Sequence, residues 1–143
     1  MAFLLDINVL IARVDPCHEH HKRARRWLKE QTGADLVTCP LTENGFVRIY
    51  GHPSYPGGPG SPALALEELR VIRSMSCHRF IADTLSLDDP HAFHSLEGIS
   101  PKQLTDLYLL ALAARHQISF ATLDGSIPSG RVVGGPATLV VIA

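Results

Sequence analysis

Cysteine is scarce and odd in number: Cys17, Cys39 and Cys77, far apart, are the only three. That excludes the paired framework of a disulfide-stapled secreted domain and points to a reducing, cytoplasmic setting. The first apolar run is too short to span a bilayer and no basic segment precedes it, so neither a membrane anchor nor a signal peptide is expected. Charge of one sign is also missing. Thirteen Lys and Arg against 14 Asp and Glu leave a formal net charge of −1, so no global basic field advertises nucleic acid, and any binding patch must be local. No internal repeat is present, and only residues 51–62, GHPSYPGGPGSP, are strongly biased in composition. What is there, 143 residues of which 45% are hydrophobic and 19% charged, matches one globular domain over residues 1–143, able to bury a core without staples.

Strand and helix signals alternate along the chain. Residues 2–5 (AFLL) read as a buried strand, and the run around Val9–Ala12 as a short helix ending before Asp15-Pro16, because proline restrains the residue before it. His18–Gln31 carries Ala24, Trp27 and Leu28 on one helical face, with Gly33 as its stop. Leu36–Cys39 reads as a strand, Pro40–Tyr50 as a helix and 51–62 as a loop. Ser61 and Pro62 suit the cap and first turn of a helix over 63–75. Further strands are expected at His78–Ile81 and Ile118–Leu123. A short helix is expected around Pro90–Leu96 inside a loop of 88–103, and a strong helix at Leu104–His116. Val132-Val133 and Thr138–Ile142 are expected to finish the sheet. Such alternation predicts an α/β fold, a mostly parallel sheet covered by helices.

Four acids fall at the ends of these elements. Asp6 follows the first strand and Asp124 follows the SFATL strand; Glu43 and Asp106 open helices. Taken singly, each has an ordinary structural explanation, as a helix-dipole partner, a cap or a turn residue. Taken together, they lie where side chains beyond the carboxyl ends of parallel strands converge. Two carboxylates about 4 Å apart repel by roughly 4 kcal/mol at an effective dielectric constant near 20. A converging set must therefore protonate or recruit a cation. An all-carboxylate set suits Mg²⁺ or Mn²⁺, and hence phosphoryl or phosphodiester transfer by a metal-activated water.

The ordered set LLDINVLIA, TENGFVRI (42–49), TDLYLLALAARH (105–116) and ATLDG (121–125) resembles the motifs of PIN-domain proteins, above all the VapC-type toxins of toxin–antitoxin modules. DPCHEHHKRARRWL (15–28) and HRFIADTLSL (78–87) resemble the same group. The resemblance implies a PIN-like three-layer α/β/α sandwich and a Mg²⁺- or Mn²⁺-dependent endoribonuclease. It implies as partners an RNA substrate, a cognate VapB-like antitoxin and a second copy of the chain in a homodimer. It carries Asp6 and Asp106 over as metal ligands, Glu43 as a ligand or water-positioning group, and Asp124 as the residue that completes the site. Asn8 and Thr122 match supporting polar positions. Many relatives follow the last acid with a basic residue and another acid, whereas here Asp124 is followed by Gly125-Ser126-Ile127-Pro128.

Other features admit two readings. Lys22, Arg23 and Arg26 form a solvated helix face or, if they border the acidic crevice, contacts for RNA or an antitoxin. His18, His20 and His21 invite a zinc site, but no second ligand pair with zinc-finger spacing accompanies them. A phosphatase with Asp6 as nucleophile is an alternative enzyme. Its usual acid/base Asp two residues on is replaced by Asn8, which cannot transfer the proton. A PIN-like interaction module without activity is the non-enzymatic alternative.

Overall fold

A computed structural model describes the whole chain, Met1–Ala143. Five strands, β1 (Ala2–Leu5), β2 (Asp35–Thr38), β3 (His78–Phe80), β4 (Ser119–Thr122) and β5 (Leu139–Val141), form one sheet in the order β3-β2-β1-β4-β5. Every pairing is parallel, so each connection must cross over the sheet rather than turn back in a hairpin. The helices are α1 (Ile7–Val14), α2 (His21–Glu30), α3 (Pro40–Tyr50), α4 (Pro62–Arg73), α5 (Leu104–Arg115) and α6 (Gly135–Thr138).

β1 is the middle strand and is buried along its whole length, as its uninterrupted apolar sequence requires of a strand covered on both faces. Its side chains divide by the two-residue period of a strand. Ala2 and Leu4 join a core with Val37, Phe120 and the apolar residues of α5. Phe3 and Leu5 join a second core with α1, Phe46 of α3, and Leu69 and Ile72 of α4. These two cores make the three layers.

The chain moves outward from β1 to β2 and β3, then returns to place β4 on the other side of β1. β1 and β4 therefore flank the point where strand order reverses, the place where open α/β sheets leave a crevice beyond the carboxyl ends of their strands.

Local signals correspond closely to the elements. Ser61 caps α4, its Oγ accepting from the Leu64 N–H at 3.2 Å, with Pro62 in the first turn. Gly33 takes a left-handed φ of +85° after α2, a conformation that costs glycine little.

The expected helix at Pro90–Leu96 does not form. Asp89 Oδ1 accepts from the His91 N–H at 2.8 Å, a side-chain turn that competes with helix initiation. Val132-Val133 does not join the sheet either. Val132 pairs with Phe93 in an isolated antiparallel bridge, and both pack against the α5 core. The four-residue α6, led in by Gly134 at a φ of +73°, carries no helical periodicity in sequence because it is barely one turn long. No helix is long and apolar enough to cross a membrane.

Candidate active site

Asp6 stands at the junction of β1 and α1. Its backbone N–H donates to the Ala121 carbonyl of β4 at 2.9 Å, and its carbonyl accepts from Val9 and Leu10 to begin α1. The side chain caps the same helix, Oδ1 accepting from the Ile7 N–H at 2.7 Å. Oδ2 accepts from the Thr122 hydroxyl at 2.7 Å. With 4% of its surface exposed, the carboxyl is buried at the strand crossover.

Thr122 holds this corner together. Its oxygen donates to Asp6 while accepting from the Asp124 N–H at 3.0 Å and from Asn8 Nδ2 at 3.3 Å. One donor and two acceptor positions are all a hydroxyl has, so Thr122 is fully used. Asn8 Oδ1 accepts in turn from the Leu123 N–H at 3.3 Å. Asn8 and Thr122 thus lie against the first acid and fix the β4 loop to α1.

Asp124 follows β4 and is held by its own loop. Its Oδ1 accepts from the Ser126 N–H at 2.8 Å and the Ser126 hydroxyl at 2.6 Å. These bonds hold its carboxyl below the ordinary carboxylate range. Ser126 gives the loop a definite shape around an ionised Asp124.

Asp106 enters from the first turn of α5 and is partly buried. Its pKa is pushed up to about 7, first by burial and then by the charges of Asp6 and Asp124. Burial likewise pushes Asp6 up to about 6 against the pull of its Thr122 and Ile7 hydrogen bonds, and the Asp124 charge adds to the rise. The Asp124 charge thus acts on both Asp6 and Asp106, and the Asp6 charge on Asp106.

Glu43 is engaged elsewhere. Its Oε2 accepts from the Thr38 hydroxyl at 2.6 Å and pairs with the Arg73 guanidinium. Thr38 Oγ also lies 2.8 Å from His78 Nε2. Because the Thr38 proton goes to Glu43, its oxygen accepts from His78, which fixes the Nε2–H tautomer. Burial and the Arg73 charge hold the His78 pKa down. Arg73 also lies 4.8 Å over the Phe80 ring. So β2, β3, α3 and α4 build a second polar network along the carboxyl edge, and Glu43 is not among the charges that raise Asp6 or Asp106.

Sequence reasoning missed Thr38, Arg73 and His78. Arg73 sits 30 residues from Glu43 and has an ordinary explanation as a cation in the last turn of a helix.

The donor chemistry fits a hard cation. Asp6 and Asp106 are both raised, and Asp124 keeps an ionised carboxylate beside them. No group of three or more His, Cys, Asp or Glu side chains is gathered closely enough to hold an ion as it stands. Mg²⁺ keeps several of its waters and binds through one or two carboxylates, so this arrangement fits an ion held partly through water.

The remaining sequence candidates lie apart from one another. Lys22 is exposed and Arg23 is partly buried, with its Nε unpartnered. Arg26 lines a cleft beside residues that precede β2 and β3, at the other end of the sheet from Asp6. Of the histidines, His21 Nδ1 is 2.6 Å from the Ala12 carbonyl, His18 Nδ1 accepts from the His20 N–H, and His20 pairs with Glu19. All three are occupied in shaping the approach to α2.

Comparison with known proteins agrees with this architecture. The PIN domain family model matches residues 3–129. Ribonuclease VapC44 of Mycobacterium tuberculosis is 42% identical over 134 residues, covering 94% of this chain and 94% of its own. Ribonuclease VapC39 of the same organism is 34% identical over 94% of this chain and 96% of its own. Among solved structures, Mycobacterium tuberculosis VapC20, described as a Sarcin-Ricin loop cleaving toxin, superposes with a TM-score of 0.64 at 14% identity, covering 93% of this chain and 97% of its own. VapBC2 from Rickettsia felis, bound to a DNA fragment from its promoter, gives 0.58 at 13% identity over 90% and 94%. At those identities the two structures show a shared fold.

Proposed function

Because this chain belongs to the PIN-domain family, we propose that it is an endoribonuclease, the toxin of a toxin–antitoxin pair, dependent on Mg²⁺ or Mn²⁺. What supports the reading is the shared electrostatics of Asp6, Asp106 and Asp124: burial, with neighbouring aspartate charge added, raises Asp6 to about 6 and Asp106 to about 7. Carboxylates so placed gain stability when a cation joins them. The ribonuclease names of relatives aligned over 94% of the chain support the same activity.

Asp6, Asp106 and Asp124 would hold the ion, which when bound supplies a polarised water and offsets charge on the attacked phosphate. Thr122 and Ile7 fix the orientation of Asp6, and Ser126 that of Asp124. Glu43 would orient the water through Oε1, since Oε2 is taken by Thr38 and Arg73. The water oxygen bonds to phosphorus, one P–O bond to the sugar breaks, and the water's proton leaves as the departing sugar oxygen takes one up.

An RNA strand is the substrate in this reading, and a VapB-like antitoxin covering the acidic crevice is the inhibitor. A homodimer and a cytoplasmic location accompany it; three free cysteines suit a reducing compartment. Nothing observed favours the phosphatase: both Asp6 oxygens already accept hydrogen bonds, and the Asn8 amide is tied to Thr122 and Leu123. The deciding experiment incubates purified protein with RNA in Mg²⁺, Mn²⁺ or EDTA. Cleavage with either metal, its loss in EDTA and its loss in Asp6→Asn are expected. Intact RNA under every metal condition would refute the reading.

A further inference from the structure

The amino-terminal end of the sheet holds a cleft of about 710 Å³. Gly33 and Ala34 enter it just before β2, and Cys77 just before β3. α1 contributes Arg13, and α2 contributes Arg25, Arg26 and Lys29. No Asp or Glu lines the cleft, and none of its four cations forms an ion pair. In a chain whose formal net charge is −1, that is a local segregation of charge.

Arg13 makes the point energetically. Its guanidinium is partly buried, and the hydrogen bond it makes is to Met75 Sδ at 3.3 Å, a weak thioether acceptor. Burial and the Arg25 charge hold its pKa down, with Cys77 and Glu68 acting in the opposite sense. A desolvated cation without an anion costs stability that an arriving anion would restore. Leu28 and Met75, both half-buried, give the cleft apolar lining beside the cations. Its size falls among small-molecule sites, roughly 300–1,000 Å³, which pair an apolar lining with a few placed polar groups.

We propose that this cleft binds a small phosphorylated ligand of the nucleoside di- or triphosphate class, its phosphates on Arg13, Arg25, Arg26 and Lys29 and its base or sugar on Leu28 and Met75. A free ligand fits better than a continuation of an RNA strand. The aspartates follow β1 and β4, whereas this cleft lies before β2 and β3, so a strand in the acidic crevice would have to pass the full length of the sheet. The site does not depend on the nuclease reading.

The test is equilibrium dialysis of ATP against the full chain in EDTA, which keeps metal–ATP out of the acidic crevice. Expected is a dissociation constant below about 1 mM, with adenosine at least about tenfold weaker. The double variant Arg25→Glu/Lys29→Glu changes two exposed side chains and should weaken ATP at least about tenfold with the thermal midpoint retained. In a Cys17→Ser background, ATP should also slow alkylation of Cys77 by N-ethylmaleimide. ATP that does not bind, or binds the double variant as well as the wild type, overturns the proposal. So does a short single-stranded RNA that displaces ATP and is itself lost in the double variant, because the cleft would then be an RNA groove.

Discussion

One parallel sheet presents two opposite chemistries at its ends. Beyond the carboxyl ends of β1 and β4, burial first and neighbouring aspartate charge second raise the pKa values of Asp6 and Asp106. Before the amino ends of β2 and β3, four unpaired cations share a cleft with no acid. A net charge of −1 averages these poles away. Parallel topology favours this separation, because every strand begins at one end of the sheet and finishes at the other, although Arg73 and His78, which precede and open β3, still reach Glu43 and Thr38 at the end of β2. A second contrast lies within the acidic end. Asp6 and Asp106 are raised with aspartate charge contributing, whereas Glu43 pairs with Arg73.

The largest expected effect separates function from stability. Asp6→Asn should reduce RNA cleavage to background. It should change the thermal midpoint of the metal-free protein little, because removing a buried charge whose pKa rise corresponds to about 3 kcal/mol offsets the loss of one of the two hydrogen bonds that Asp6 accepts. Cleavage assays and calorimetry on the same preparation test this; a variant that still cleaves RNA would make Asp6 a structural cap only.

Next comes Thr122→Val. The swap keeps the shape of the side chain but strands Asp6 Oδ2, the Asp124 N–H and the Asn8 amide. A loss of about 2–3 kcal/mol in urea unfolding and of about 10–100-fold in activity is expected. Activity near the wild-type level would show that Asp6 is oriented without Thr122.

The third effect concerns pH. The folded-state pKa of Asp6 lies at about 6 and that of Asp106 at about 7, both above the ordinary carboxylate value of 3.8. The native state therefore holds these protons after the unfolded chain has released them. Their contribution to stability is fully present below about pH 4 and is lost as pH rises through 6 to 7. Protons and a divalent ion compete for the same carboxylates. Mg²⁺ should thus raise the melting temperature more at pH 8 than at pH 5. Equal shifts at both pH values would place the ion elsewhere.

Arg73→Gln should have the smallest effect. The Arg73–Glu43 pair is partly exposed, with side chains 40% and 16% accessible, so its loss should cost no more than about 1 kcal/mol. Cleavage should fall far less than in Asp6→Asn. A loss as complete as that of Asp6→Asn would show that Glu43 acts only when Arg73 holds it.

The sequence by itself determined what short windows encode. The period of β1, the Ser61-Pro62 start of α4, the stop at Gly33 and the strand–helix alternation all rest on hydrogen bonds and steric rules within a few residues. It also determined that Asp6 and Asp124 follow strands and that Asp106 opens a helix, which in a parallel sheet puts all three toward the carboxyl ends of the strands. Only the tertiary structure decided which strands became neighbours. It set β4 beside β1, so that Thr122 reaches Asp6 across 116 positions, and packed α4 near α3, so that Arg73 captured Glu43. It also turned Arg26 toward the far end of the sheet, and drew Val132 to Phe93 instead of to a strand. Such pairings depend on helix packing and strand order, quantities fixed by the burial of two whole cores and carried by no single stretch of sequence.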